Sequence, residues 1–99
     1  MNFQEANITE SSGNVFLDLG FSPDESALLS LRAQLMGELR LWIQASGQTQ
    51  AEISTRLGIS QSRVAELTRG KWDKFSIELL ITLATRAGKK VSLELADAA

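Results

Sequence analysis

Thr49-Gln50-Ala51-Glu52-Ile53-Ser54-Thr55-Arg56-Leu57-Gly58-Ile59-Ser60-Gln61-Ser62-Arg63-Val64-Ala65-Glu66-Leu67-Thr68-Arg69-Gly70 is the stretch that decides the fold. Thr49-x-x-Glu52 is a capping box, in which hydroxyl and carboxylate each satisfy a main-chain N–H that a helix start leaves unpaired. A helix is therefore predicted from there to Leu57, stopping at Gly58, and Ser60 caps a following helix that ends at Gly70. Two short helices that cross steeply need a turn residue tolerant of positive φ, and Gly58 supplies it. They need a small residue where they approach, and Ser54 fills that place. Ile53 and Leu57 from one helix, Val64 and Leu67 from the other, and Ile59 between them supply the apolar knobs that lock the angle.

Outward from this pair the chain stays helical. Ser22-Pro23-Asp24-Glu25 combines a Ser cap, Pro at the first helical position and acids at the positive end of the dipole. Leu28, Leu31, Leu35, Leu39 and Trp42 then recur every three or four residues, which predicts a long amphipathic helix to about Ala45, closed by Ser46-Gly47. Trp42 reads as core. Ser76 caps a last helix whose buried stripe is predicted as Ile77, Leu80, Ile81 and Ala84, with Gly88 as its stop. Val91-Ser92-Leu93-Glu94-Leu95 alternates apolar and polar, as a half-buried strand does. Asn14–Gly20 is a short apolar run, a brief strand or a clip, and Met1–Ser12 reads as a flexible tail. The expected division is a tail and clip at 1–21, a helical domain at 22–88, and a strand with tail at 89–99.

Composition narrows the function. The chain has 99 residues, 43% of them hydrophobic, which fits one globular domain. It contains no Cys and no His. Disulfides, thiolate metal sites, the commonest metal ligand and the usual general base are thus all missing. No carboxylate pair sits in a convincing site, so neither an enzyme nor a metal or other cofactor is expected. Neither a secretory signal nor an apolar run of membrane-spanning length is visible, which makes a cytoplasmic location the expectation. The net charge of −2 hides an asymmetry: residues 1–30 carry −5, the remainder +3, and Thr49–Lys74 alone +2.

With these residues in view, Gln50–Leu67 resembles the helix-turn-helix of the lambda-repressor-like XRE family, departing from it at Ser54, where the family usually has Ala. The resemblance extends to Ser11–Phe21, Thr49–Glu52, Arg69-Gly70-Lys71, Phe75-Ser76 and Val91–Leu95. Those segments are similar to a subgroup that contains HigA-type antitoxins and stand-alone regulators. It implies a mainly α, lambda-repressor-like bundle of four to five helices with a short C-terminal strand. It also implies a repressor that binds operator DNA, controls its own operon and is neutralising partner to a HigB-like toxin of the RelE/ParE superfamily. A stand-alone XRE-type or phage-type regulator without a toxin is the alternative, and an adaptor that has lost DNA binding is a third reading.

The exposed first turn of the helix after Ser60 is what enters a major groove in such a motif. Gln61 can pair bidentately with adenine, Arg63 with guanine, and Ser62 is adaptable, although Arg63 has phosphate as its other candidate. Glu66, a turn further on, either accepts from a cytosine amine or faces solvent. Thr49 and Gln50 open a helix whose N–H groups can meet a phosphate, and the resemblance makes Gln50 the expected phosphate clamp. Arg69, Lys71 and Lys74 either track the DNA backbone or are a solvated loop. Trp72 either stacks near sugar or packs beneath the last helix. A lone strand at Val91–Leu95 needs a partner, which Val15–Leu19, a second copy or another protein would provide; a homodimer would set two recognition helices on two half-sites.

Overall fold

Four of the helices begin where a hydroxyl is placed to receive them. The computed structural model describes residues 15–97. Its helices are α1 (Val15–Asp18), α2 (Pro23–Ser46), α3 (Gln50–Leu57), α4 (Gln61–Thr68) and α5 (Ile77–Arg86), with a 3-10 turn at Trp72–Lys74 before α5. Ser22, Thr49, Ser60 and Ser76 are the N-caps of α2 to α5, and each side chain accepts from an N–H three residues on. At α2 and α3 the capping box is complete, with Glu25 and Glu52 accepting from the cap residue's own N–H. These ends match the sequence expectations to within two residues: α4 stops at Thr68, ahead of Gly70, and α5 at Arg86, ahead of Gly88.

The core lies where four helices converge. Met36 and Leu39 from α2 meet Ile53 and Leu57 from α3, Val64 and Leu67 from α4, and Leu80, Leu83 and Ala84 from α5, with Phe75 closing the cluster. Leu57, Leu67, Leu80 and Leu83 have no accessible surface at all, so truncating any of them to Ala would cost about 2–5 kcal/mol. Leu35, Trp42, Ile43, Ile59, Trp72 and Leu79 pack against this cluster from its edge.

Five arginines finish what the caps begin. Arg86 Nη1 donates to the Leu57 carbonyl at the end of α3 at 2.8 Å, and Arg56 Nε donates to the Arg86 carbonyl at the end of α5 at 3.1 Å. Each helix thus satisfies a carbonyl that the other's end leaves open. Arg40 Nε does the same for Thr68 at the end of α4. Arg32 bonds the carbonyls of Phe75 and Trp72, and its guanidinium lies 5.3 Å from the Trp72 ring centroid. Arg63 takes the Lys74 carbonyl.

Three expectations change. Residues 91–97 form no strand, so the short C-terminal strand is corrected to an extended tail. The other candidate strand, Val15–Leu19, is helical as α1 over Val15–Asp18, so the tail has no strand to pair with among the described residues. On α2 the buried residues are Ser26, Leu29, Met36 and Leu39, whereas Leu28 and Leu31 are exposed. On α5, Leu83 takes the core position expected of Ile81, which faces out. The expected tail at Met1–Ser12 lies outside the described residues.

Candidate nucleic-acid interface

The turn between α3 and α4 has the geometry its residues call for. Gly58 is left-handed, with φ 72° and ψ 32°, and its N–H donates to the Ser54 carbonyl. Ser54, half-buried at the crossing, donates its hydroxyl to the Ile59 carbonyl. The hydroxyl therefore closes the turn at the position where an alanine would only fit it.

Across the two N-termini, Gln50 Nε2 donates to the Gln61 carbonyl at 2.6 Å. This bond fixes the start of α4 against the start of α3 and places Thr49, Gln50, Gln61 and Ser62, all exposed, along one edge. Ser60 caps α4 through Arg63 N, and its Oγ lies 3.1 Å from Ser62 Oγ. The Gln61 side chain makes no hydrogen bond among the described residues and presents a free amide at the first turn of α4.

Arg63 and Glu66 are less free than their positions suggest. Arg63 Nη1 donates to both Glu66 Oε1 and the Lys74 carbonyl at 3.0 Å, and its guanidinium sits 4.2 Å from the Phe75 ring centroid. This is the one ion pair among the described residues, and both side chains are only about a third exposed. Glu66 is correspondingly occupied.

The remaining cations divide cleanly. Arg32, Arg40, Arg56, Arg63 and Arg86 all bond main-chain carbonyls inside the fold. Arg69, Lys71 and Lys74, like Lys89 and Lys90 near the C-terminus, are exposed and have no side-chain bond among the described residues. Trp72, between Lys71 and Lys74, is turned inward instead: it packs against the core, with Phe16 edge-on at 6.0 Å. Of the two roles open to it, packing is the one found. Trp42 also packs on the core, under Arg56 at 5.6 Å.

The crossed pair α3–α4, its left-handed Gly58 and the open first turn of α4 are matched by a family model described as a helix-turn-helix domain, over residues 15–96. The chain belongs to this helix-turn-helix family. No curated protein matches the chain. As a helix-turn-helix domain the chain is of a DNA-binding kind, and the match supports that part of the resemblance; the HigA-type subgroup is a finer assignment. Among the described residues no helix is long and apolar enough to cross a membrane, and no His, Cys, Asp or Glu group is arranged to hold a metal ion. The sequence missed the carbonyl-binding roles of Arg32, Arg40, Arg56 and Arg86. These contacts join residues 28 to 43 positions apart, which no local spacing reveals.

Proposed function

We propose that this helix-turn-helix domain is a sequence-specific repressor, with α4 as the helix that enters the major groove. The observation that carries the reading is the first turn of α4: Gln61 and Ser62 stand exposed, on a helix start pinned by Gln50, beside the unpaired run Arg69, Lys71 and Lys74. Gln61 offers a bidentate donor and acceptor to adenine, and Ser62 a rotatable hydroxyl to either base edge. The α3 start, with Thr49 and Gln50, meets the phosphate on one side and the basic run meets it on the other. Arg63 and Glu66 act one step back: their mutual bond and the hold on Lys74 fix the angle between α4 and the basic run. Two copies reading two half-sites about one helical turn apart complete the regulator.

The finer reading, drawn from the resemblance, is an antitoxin that represses its own operon and binds a HigB/RelE-like toxin in the cytoplasm. A titration of the protein into labelled promoter DNA from its own operon, with random duplex as competitor and salt as the second variable, tests the DNA-binding reading. Specific binding that falls steeply with salt supports it, and equal affinity for both duplexes refutes sequence specificity. Co-purification with the product of a small neighbouring reading frame tests the antitoxin assignment; a regulator that purifies alone from the intact operon refutes it.

A further inference from the structure

We infer that the open groove between α2, α5 and the C-terminal tail is a site for a small amphiphilic monocarboxylate, whose binding loosens the grip on DNA through Arg40. The site stands on its own observations, and only its effect on DNA rests on the repressor reading above. The groove is about 910 Å³, with an apolar lining of Leu31 and Leu41 from α2, Ile77 and Ile81 from α5, and Val91 and Leu93 from the tail. That volume and that lining are those of small-molecule sites, in which a few placed polar groups fix the ligand's orientation. The apolar side chains are open to an occupant: Leu41 is 60% exposed and Leu93 77%.

Part of the groove's floor is bare backbone. Gly37, which lines it, lies in the interior of the 24-residue α2, where glycine weakens a helix more than any residue but proline. Its backbone is helical, and a Cβ there would meet nothing within 4 Å among the described residues. Neither turn geometry nor packing within the described chain therefore calls for glycine at this place. What glycine does is deepen the groove. At about 100° per residue, Gly37 lies between Arg40 and Leu41 around the helix and about one turn before them. A ligand can thus pass from the guanidinium over bare main chain to the apolar wall.

Charge fixes the ligand's head. Arg40 is the one base of the lining and Glu38 the one acid. Arg40 Nε donates to the Thr68 carbonyl, and its Nη atoms make no hydrogen bond among the described residues. They offer paired N–H donors, the fork that a carboxylate matches. Glu38 stands about 200° around the helix from Arg40, on the far side of Gly37 and Leu41, and repels a second anionic group there. Leu31 and Arg40 are roughly 13 Å apart along the helix axis. The ligand that fits is one carboxylate on an apolar body of about that length, the chemistry of a medium-chain fatty acid.

The same arginine reaches the DNA site. Arg40 Nη1 lies over Gly70, 3.0 Å from where a Cβ would stand, so the guanidinium sits at the joint between α4 and the run Arg69, Lys71 and Lys74. A carboxylate bound there draws charge from the bond to Thr68 and sets an anion beside Arg69 and Lys71. Both effects weaken the hold on phosphate, so the ligand releases DNA. No groove-lining residue belongs to α3 or α4, so the ligand leaves Gln61 and Ser62 uncovered and acts from a second site.

The test titrates decanoate into the full-length protein, followed by calorimetry and amide NMR, with decanol as the uncharged body of the same length. Decanoate is expected to bind with a Kd on the order of 0.1–1 mM and to shift the amides of Gly37, Leu41, Thr68 and Gly70. Decanol should bind at least about tenfold more weakly, and Arg40→Gln should remove that preference. Gly37→Leu fills the floor: it should raise Tm, because leucine is the better helix former, while abolishing decanoate uptake. Saturating decanoate should weaken wild-type binding to operator duplex about five- to tenfold. Gly37→Leu should bind that duplex as the wild type does and ignore decanoate. No uptake by the wild type, equal uptake of decanoate and decanol, or full uptake by Gly37→Leu overturns the inference. So do amide shifts at Gly37 and Leu41 that follow protein concentration rather than decanoate, the sign of a second copy in the groove. Operator affinity untouched by bound decanoate overturns the coupling through Arg40. The uptake measurements need no DNA. A protein that takes up decanoate but never binds operator therefore sinks the repressor reading alone, and operator binding without uptake sinks the ligand site alone.

Discussion

Replacing Arg63 by Ala removes three contacts, two that join α4 to the segment before α5 and one within α4. The bond from Nη1 to the Lys74 carbonyl has a charged donor and contributes about 1 kcal/mol once partial exposure is allowed for. The ion pair to Glu66, between side chains 33% and 28% exposed, is screened by solvent to about 0.5 kcal/mol. The guanidinium at 4.2 Å over Phe75 adds roughly 0.5–1 kcal/mol. One side chain makes all three, so they do not add fully, and Arg63→Ala is expected to cost about 2 kcal/mol. In a domain of this size that lowers Tm by roughly 8–15 °C. Circular dichroism melts of the wild type, Arg63→Ala and Arg63→Lys measure it, with Lys recovering only part because it lacks the planar fork. Binding to operator and to random duplex should weaken by similar factors, since the loss is in how α4 is held. An unchanged Tm, together with a loss confined to operator DNA, would refute this reasoning and make Arg63 a reader of guanine.

Gln61→Ala should lower operator affinity about 5- to 150-fold while leaving random-duplex affinity and Tm near wild type, because a free bidentate amide gives about 1–3 kcal/mol of discrimination; competition anisotropy reads both. Gly58→Val forces a β-branched residue to φ 72° and sets a Cβ 3.1 Å from Arg86 Nη1, so retreat of that arginine would weaken its bond to Leu57. A loss of about 2–4 kcal/mol in denaturant melts is expected, and an unchanged midpoint would mean the turn does not need glycine. Replacing Arg69, Lys71 and Lys74 together by Gln should flatten the slope of log affinity against log salt by about 3 per copy bound, if all three neutralise phosphates. A slope that stays the same makes the run a solvated loop.

The helix starts were legible because their cause is local: a hydroxyl, three residues and a returning carboxylate contain the whole argument at Thr49 and Glu52. The turn was legible for the same reason, and so was the placing of Gln61 and Ser62. What the sequence left open needed a partner in space. Val15–Leu19 is too short for its period to separate strand from helix, and contact with the aromatic cluster of Phe16, Phe21 and Trp72 accompanies the helical choice. Val91–Leu95 alternates correctly for a strand, but alternation does not create a neighbour to pair with. α2 carries apolar residues on more than one face, so Leu28 and Leu31 compete with Leu29 and Met36 for the core, and only packing against α5 decides between them. The intramolecular hold on Arg63 was not legible either, because Lys74 and Phe75, which it contacts, lie more than ten positions away.

The exchange of caps between α3 and α5 makes their two ends a single opening unit. If the last turn of α5 frays, the Leu57 carbonyl loses Arg86; if the end of α3 frays, the Arg86 carbonyl loses Arg56. Amide exchange at Gly58 and at Ala87 should therefore proceed through a common event, although the two amides belong to different helices. The tail leaves the fold immediately after that shared end, at Gly88–Lys90. Whatever steadies the tail then raises the free energy needed to loosen the turn that carries Gln61. By thermodynamic reciprocity, DNA held on α4 in the proposed repressor would favour the ordered tail by the same amount.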